Sequence, residues 1–226
     1  MEIKILRDIF ESNKQVAKEI NELLITKKVY MLDIMGSPGC GKTTITDKII
    51  TSLKNKFKIG IIEGDIETTC DSDKLAIHNL PIIQIETSFF GGDCHLESSW
   101  IMKSLEKFNL NNLDLVIIEN VGNLVCPAEF ELGDDERIVV LSVPEGEDKP
   151  LKYPLMFNTS KTLLLNKIDL LPHLNYNIEL VKKNIQKVNP KINLFQISAV
   201  TGKGFDKFIA YLSDNIEKKI NHCSQN

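Results

Sequence analysis

The sequence lacks any apolar run that approaches the roughly 18 to 20 residues needed to span a bilayer. Its first ten residues already carry charged side chains of both signs, which is unlike a secretory signal: Glu2, Lys4, Arg7 and Asp8. We therefore expect a cytoplasmic protein that has no membrane partner.

An excess of basic residues and a set of paired cysteines are also missing. The chain has 27 Lys and Arg against 31 Asp and Glu, a formal net charge of -4, and the charges are interspersed, so we do not expect nucleic acid as a partner. Five scattered cysteines, an odd number, argue against a disulfide framework. Each cysteine is therefore either a metal ligand or a small buried side chain: Cys40, Cys70, Cys94, Cys126 and Cys223.

What the chain does have is a regular alternation of short β-rich runs with helical patterns. The predicted strands are Val29–Met35, Lys58–Glu63, Ile82–Ile85, Leu115–Glu119, Ile138–Val143, Thr162–Leu165 and Asn193–Ile197. The predicted helices are Gly41–Asn55, His95–Phe108, Tyr176–Val188 and Phe205–Lys218. Near-continuous apolar strands in a βαβ succession predict an α/β fold, a mostly parallel central sheet with helices on both faces.

The chain divides into three predicted parts. Residues 1–28 form an amphipathic helix packed on the domain, because apolar side chains recur at helical spacing from Ile3 to Leu24. Residues 29–220 form a nucleotide-hydrolase domain, and residues 221–226 are a tail.

The segment from Gly36 to Thr43 matches the pattern G-x-x-x-x-G-K-S/T in full, between an apolar run and a helical pattern, as a P-loop requires. Its glycines let backbone N–H groups converge on phosphate oxygens, and the helix N-terminus adds positive potential. Lys42 neutralises the β- and γ-phosphates, and the Thr43 hydroxyl binds Mg²⁺. The sequence thus predicts a P-loop NTPase whose phosphate-binding residues are Gly36, Ser37, Pro38, Gly39, Cys40, Gly41, Lys42, Thr43 and Thr44.

The segment Asn166-Lys167-Ile168-Asp169 predicts which base is bound. A carboxylate at Asp169 can accept hydrogen bonds from guanine N1–H and the 2-amino group, a pair of donors that adenine lacks. A buried acceptor left unpaired costs about 1 to 3 kcal/mol, enough to discriminate between the bases. N-K-x-D resembles the base-specificity motif of GTPases, and Ser198-Ala199 resembles their second base-contacting loop. We expect GTP and GDP to bind through Asn166, Lys167, Asp169, Ser198 and Ala199.

Two acidic segments between these motifs are candidate switch regions, because a γ-phosphate and its Mg²⁺ need carboxylates and mobile loops nearby. Asp65 and Glu119 are the stronger candidates, since each lies at or just after the carboxyl end of a predicted buried strand, where doubly wound sheets bind ligands. For Glu63 and Asp71 a solvated loop is the alternative. Gly122, at the end of the second segment, is counted among the nucleotide-binding residues.

Cys94-His95 and Cys126 have no place in a generic GTPase. Thiolate and imidazole suit nickel and zinc, whereas a lone cysteine is as readily explained by burial. Three ligands leave a tetrahedral site one short, and a second subunit related by a two-fold axis could supply the rest.

Five motifs, in this order, resemble those of the HypB family, the GTPases that assist nickel delivery during nickel-iron hydrogenase maturation: G-S-P-G-C-G-K-T, E-G-D, C-H-L-E, E-N-V-G-N-L-V-C-P and E-G-E-D-K-P-L-K-Y-P. The resemblance runs from about Val29 to Leu212, and E-N-V-G-N-L-V-C-P is its most specific stretch. It implies the fold of the signal-recognition-particle and MinD-related GTPase class, whose members work as nucleotide-linked dimers.

The resemblance also implies roles for individual residues. Lys42, Asp65 and Glu119 would be catalytic, and Thr43 would hold Mg²⁺ together with the two carboxylates. A nickel or zinc site at a subunit interface would be formed by Cys94, His95 and Cys126. The implied function is a GTP-hydrolysing metallochaperone that forms a GTP-dependent homodimer, with a HypA-type nickel metallochaperone and the hydrogenase large-subunit precursor as partners.

The chain departs from the family pattern in several places. It starts directly with its helix and has no Cys-rich or His-rich extension, so we do not expect nickel storage. The link before Cys94 is longer than usual and Lys74 replaces an arginine, which leaves the geometry of the first switch open. Lys149 either reaches a nucleotide across the dimer or is solvated.

Three other functions compete with this hypothesis. A small-molecule kinase could use the same P-loop, and a preference for ATP would favour it. A metal-binding module could keep the P-loop as scaffold, and GTP binding without hydrolysis would favour that. A GTPase chaperone could serve another nickel enzyme, such as urease or carbon monoxide dehydrogenase, although E-N-V-G-N-L-V-C-P argues against the urease branch.

Overall fold

A computed structural model describes residues 2–65, 74–90 and 94–222. Seven strands in these ranges form one sheet in the order β3-β2-β4-β1-β5-β6-β7, and every neighbouring pair is parallel. Each lies where the sequence predicts a strand: β1 Tyr30–Gly36, β2 Ile59–Asp65, β3 Ile82–Glu86, β4 Leu115–Glu119, β5 Glu136–Ser142, β6 Thr162–Asn166 and β7 Asn193–Gln196. The predicted α/β class with a parallel sheet is confirmed.

Helices connect the strands. The α-helices are α1 Glu2–Lys27, α2 Lys42–Leu53, α3 Ser98–Leu105, α4 Cys126–Glu129, α5 Lys149–Lys152, α6 Pro154–Thr159, α7 Ile178–Val188 and α8 Phe205–His222, and short 3₁₀ turns cover Thr87–Phe90, Leu110–Asn112, Val143–Glu145 and Ile168–His173. Helices α4, α5 and α6 were not predicted, because four to six residues with a proline in the first turn are too few to show a helical period. Of the described helices, none combines the length and the apolarity that crossing a membrane requires.

The sheet is covered on both faces, as predicted. Residues along β1, β4, β5 and β6 are buried throughout, and their near-continuous apolar sequence follows from that burial. Helices α2 and α8 cover one face through side chains such as Ile45, Ile49, Phe208 and Leu212. The opposite face packs against α1 and α3 at one end and against α6 and α7 at the other.

Helix α1 is attached to the sheet by an apolar stripe and one polar side chain. Ile20 and Leu24 are fully buried. Asn13 accepts a hydrogen bond from the backbone N–H of Ser98 at 2.9 Å, which secures the start of α3, and donates one to the carbonyl of Glu131 at 2.8 Å. At the other end of the chain, α8 continues to His222, and residues 223–226 lie outside the described residues.

Candidate functional site

The carboxyl ends of β1, β2 and β4 surround a cavity of about 550 Å³, within the range of ligand sites. The turn from β1 into α2 that forms one wall is Gly36–Thr43, the predicted P-loop. Gly41 has φ of +105°, and a Cβ there would lie 2.5 Å from Nδ2 of Asn166, so only glycine fits. The cavity is lined by Pro38, Gly39, Gly41, Lys42, Thr43, Thr44, Glu63, Gly64, Asp65, Lys74, Glu119, Asn120, Val121, Gly122 and Lys167.

Lys42 lies along the wall of this cavity with 9% of its surface exposed. Its Nζ approaches the loop carbonyl oxygens of Gly36 and Ser37 at 3.4 and 3.5 Å. These are long contacts, so the ammonium is held over the loop while it can still bind an anion in the cavity.

Side-chain oxygen atoms that could bind a metal ion meet in the same cavity. Glu119, 3% exposed, accepts a hydrogen bond from the Thr43 hydroxyl at 2.7 Å and one from the Thr46 hydroxyl at 2.9 Å. Asp65 ends β2, and Glu63 is the sheet partner of Glu119 in the β2–β4 pairing. Two or three carboxylates and a hydroxyl form the oxygen set that Mg²⁺ prefers, so the residues present fit this ion.

Among these oxygen groups the structure decides one alternative that the sequence left open and adds one residue. Glu63 is not a solvated loop residue: it lies in β2 with 2% of its surface exposed. Thr46 was missed, although its position three residues after Thr43 places both hydroxyls on one side of α2. Asp71, the other candidate of the first switch, lies outside the described residues, as do Cys70, Asp93 and Cys223.

The base-recognition segment is tied directly to the P-loop. The amide of Asn166 donates to the carbonyl of Cys40 at 2.9 Å and accepts from the N–H of Ala199 at 3.0 Å. Lys167 donates from Nζ to the carbonyl of Gly39 at 2.6 Å. Asn166 therefore holds the P-loop and the Ser198-Ala199 turn together, a structural role that the motif alone does not show.

Asp169 supplies the feature that suits guanine. Its Oδ1 atom is buried and has no hydrogen-bond partner within the described part of the chain. A buried acceptor of this kind costs free energy unless a ligand pairs with it, and guanine carries the donors that would. Ser198 and Ala199 are buried and do not line the cavity, and their backbone N–H groups donate to the carbonyl of Lys203 and to the side chain of Asn166.

A further tie to the P-loop was not predicted. The Ser37 hydroxyl donates to Oε2 of Glu145, while Oε1 of the same carboxylate accepts the N–H and hydroxyl of Ser142, each at 2.7 Å. Glu145, the first residue of the motif E-G-E-D-K-P-L-K-Y-P, therefore supports the P-loop. Lys149, further along it, lies with Nζ 5.2 Å from the ring centre of Tyr153.

Cys94, His95 and Cys126 come together beside this site. One ligand atom from each lies within 4.8 Å of the others, and all three residues are half-buried. The two sulfur atoms are 2.6 Å apart. Burial, together with the interaction between the two neighbouring thiols, raises the pKa of Cys126 to about 11. Two sulfurs and one imidazole nitrogen fit a borderline ion such as zinc or nickel.

Asn123 joins the metal cluster to the nucleotide cavity. Its backbone forms an antiparallel bridge with Gly36, the first residue of the P-loop. Its side-chain nitrogen lies 3.7 Å from the sulfur of Cys126. Next to it, a Cβ on Gly122 would lie 3.0 to 3.2 Å from atoms of Pro38, so the two loops are in close contact.

Comparisons with known proteins agree with this geometry. Residues 30–196 match the model of the CobW/HypB/UreG nucleotide-binding domain. The chain is 40% identical over 212 residues to hydrogenase maturation factor HypB of Escherichia coli K12, covering 94% of this chain and 71% of that protein. It is 38% identical over 222 residues to the hydrogenase/urease maturation factor HypB of Helicobacter pylori J99, covering 96% and 88%.

Solved structures give the same result. HypB from Helicobacter pylori in complex with nickel superimposes with a TM-score of 0.84 at 38% identity, over 92% of this chain and 95% of that one. The signal recognition particle receptor FtsY from Elizabethkingia anophelis shares only the fold, with a TM-score of 0.53 and 19% identity over 86% and 72% of the two chains. With a nucleotide-binding domain matched over residues 30–196 and HypB proteins as near relatives, this chain belongs to the HypB family.

Proposed function

We propose that this chain is a GTP-hydrolysing metallochaperone whose nucleotide state controls a nickel or zinc site at Cys94, His95 and Cys126. Its recipient would be a nickel-iron hydrogenase. The relative in Escherichia coli is named a hydrogenase maturation factor, and the Helicobacter pylori HypB structure was solved with nickel.

The observation that carries the proposal is the position of Asn123. Its backbone pairs with Gly36 and its side chain approaches the sulfur of Cys126. Any rearrangement of the P-loop around phosphate would therefore move the residue that contacts a metal ligand. Coupling between two sites requires an element that both ligands bias, and we infer that Asn123 is this element because it contacts one residue of each site.

On the nucleotide side, Mg²⁺ held by Thr43, Asp65 and Glu119 would supply charge neutralisation at the phosphates. Lys42, which lines the same cavity, would bind the β- and γ-phosphates. Asp65, at the end of β2, would orient the attacking water. Positioning and electrostatics account for most of the catalysis in phosphoryl transfer, and these residues provide both.

On the metal side, the three ligands leave one position open, and a second copy of the chain would complete the site. Val125 precedes Cys126 and is 51% exposed. A second copy of the chain in a GTP-dependent homodimer would cover this exposed apolar side chain next to a metal ligand. A HypA-type metallochaperone and the hydrogenase precursor would then exchange metal with this dimer.

The test is to measure oligomeric state and metal content together. We expect the parent protein, loaded with zinc or nickel, to elute as a dimer with a non-hydrolysable GTP analogue, and its metal content to differ from that with GDP. Asn123→Ala should bind both ligands but lose this difference. Asn158→Ala, an exposed asparagine away from both sites, is the control. Identical metal content of the parent in both nucleotide states would rule out the coupling.

Urease is a second candidate recipient, because the relative in Helicobacter pylori is named a hydrogenase/urease maturation factor. The two can be separated by deleting the gene in its host and assaying both enzymes with and without added nickel. Loss of hydrogenase activity alone would favour the first recipient.

A further inference from the structure

We propose that Arg137 is a positioning residue for the metal ligand His95 and acts on it through Phe130. This inference rests on the proposed metal site and adds to it a second contact route from the nucleotide cavity. The Asn123 route ends at the thiol of Cys126, whereas the Arg137 route ends at the imidazole.

The imidazole of His95 lies flat on an aromatic ring. The ring centres of His95 and Phe130 are 3.8 Å apart and the planes differ by 22°. Phe130 follows the last residue of α4 and is 8% exposed. A stacked ring on one face limits the rotation of an imidazole, so the position of Phe130 decides where the His95 nitrogens point.

Phe130 is in turn held by Arg137. The guanidinium Nη2 donates a hydrogen bond to the backbone carbonyl of Phe130, and Nε donates to Oδ1 of Asp134 at 3.3 Å. Arg137 is 6% exposed, so its charge needs buried partners. The planar guanidinium can reach several acceptors in fixed directions at once, which an ammonium group cannot do.

The other side of Arg137 faces the strand that enters the P-loop. Its Nε lies 3.9 Å from Oδ2 of Asp33, which is fully buried in β1. Asp33 and Arg137 are paired in the β1–β5 register, and so the contact is built into the sheet. Burial raises the pKa of Asp33 to about 7, while the charge of Arg137 opposes that rise.

Asp33 connects to the switch segment through Asn120. The Asn120 amide donates to Oδ1 of Asp33 at 3.1 Å. Asn120 follows Glu119, and the two side chains point to opposite faces of the sheet, Glu119 to Thr43 and Asn120 to Asp33. A shift of Glu119 would therefore be passed to Asp33 and Arg137 on the far face.

The test uses zinc and a pair of substitutions that removes both charges together. Arg137→Met with Asp33→Asn removes the fully buried carboxylate together with the guanidinium and keeps an acceptor for Asn120, while Asp134 remains as a carboxylate whose side chain is 9% exposed. We expect zinc affinity to fall about tenfold or more, the usual effect of losing a residue that orients a ligand. Zinc-edge X-ray absorption should show loss of imidazole scattering while sulfur scattering is kept.

The matched control is Lys219→Met with Asp135→Asn, because this partly buried ion pair joins α8 to the sheet away from the metal cluster. It should lower the melting temperature without changing the zinc spectrum. If the Arg137 pair fails to fold, Phe130→Leu tests the same route, because it keeps the backbone carbonyl and removes the ring. It should also lose the imidazole signal.

The outcomes separate the two proposals. A parent protein without an imidazole ligand would refute the metal site itself, and the role of Arg137 with it. A parent that has the imidazole ligand, with a folded Arg137 pair or Phe130→Leu that keeps it at parental affinity, would leave the metal site standing and overturn the role of Arg137.

Discussion

The nucleotide cavity and the metal cluster are neighbours, yet they are built in different ways. The phosphate-binding part of the cavity is a continuous loop between a strand and a helix, and Lys42 after this loop and Glu119 at the end of β4 are both less than 10% exposed. The metal ligands come from two segments, with Cys94 and Cys126 separated by 32 positions, and all are half-buried.

The two sites also differ in the structural elements that hold them in position. The P-loop is held by the sheet, by α2 and by the side chains of Asn166 and Glu145. The metal ligands lie on short segments outside the sheet and take their positions from Asn123 and Phe130. We therefore expect damage to the P-loop to abolish function, and damage around the metal cluster to have graded effects.

We expect the largest effect from a substitution in the nucleotide cavity. Lys42→Ala removes the cation that lies over the carbonyls of Gly36 and Ser37, so we expect kcat/KM for GTP hydrolysis to fall about 100- to 1,000-fold. Phosphate release under steady-state conditions measures it. Lys48→Ala, one to two turns along α2, is the control. Parental turnover in Lys42→Ala would refute the phosphate role.

We expect the next largest effect from a substitution in the metal cluster. Cys126→Ala removes one of two thiolates, so affinity for zinc should fall by at least about 10- to 100-fold, the loss seen even when only a supporting residue is removed. Competition with a chelator measures it. Cys40→Ala is the matched control, because that cysteine is free, buried and in the P-loop. Equal losses in both variants would place the metal elsewhere.

A third change sharpens the contrast by altering which nucleotide is bound. Asp169→Asn exchanges an acceptor for a donor at the base, at a cost of about 1 to 3 kcal/mol, which is about a 5- to 150-fold loss of GTP affinity. Xanthosine triphosphate should gain affinity over the parent, because it presents an acceptor there. Calorimetric titration of both nucleotides measures the exchange, with Asp206→Asn in α8 as control. An unchanged ratio would refute guanine recognition by Asp169.

The smallest effect concerns pH and should distinguish the two sites. The pKa of Cys126 is about 11, above its ordinary value of 9.0, so below pH 11 this thiol is protonated and must lose its proton to bind metal. Zinc affinity should therefore rise with pH, by about tenfold per pH unit from this thiol alone. Chelator competition at pH 6.5 and 7.5 measures the slope. A slope that is the same in Cys126→Ala would contradict the assignment.

Most of the fold could be predicted because its signals are local. Seven apolar runs mark seven buried strands, and the P-loop pattern stands between a strand and a helix. The short helices α4 to α6 could not be predicted from periodicity, because four to six residues are too few to show a helical period, and the proline in the first turn of each was their one local signal.

The candidate site was predicted only in part. Glu119 and Asp65 could be placed at strand ends, but Thr46 and Glu145 act through contacts with residues 73 and 108 positions away. Cys94, His95 and Cys126 were predicted to form one metal site because of the resemblance to a family, since no spacing in the chain indicates that they lie close together. The structure shows that they do lie within reach of one ion.

By itself, the sequence determined the order of strands and helices, the phosphate loop and the base motif, because each depends on neighbours in the chain. Only the tertiary structure decided that Asn123 pairs with Gly36 and approaches Cys126, and that Arg137 lies between Asp33 and Phe130. Such contacts depend on the register of parallel strands and on loops that meet across the sheet edge. A sequence does not directly record which residues, distant along the chain, come into contact in this way.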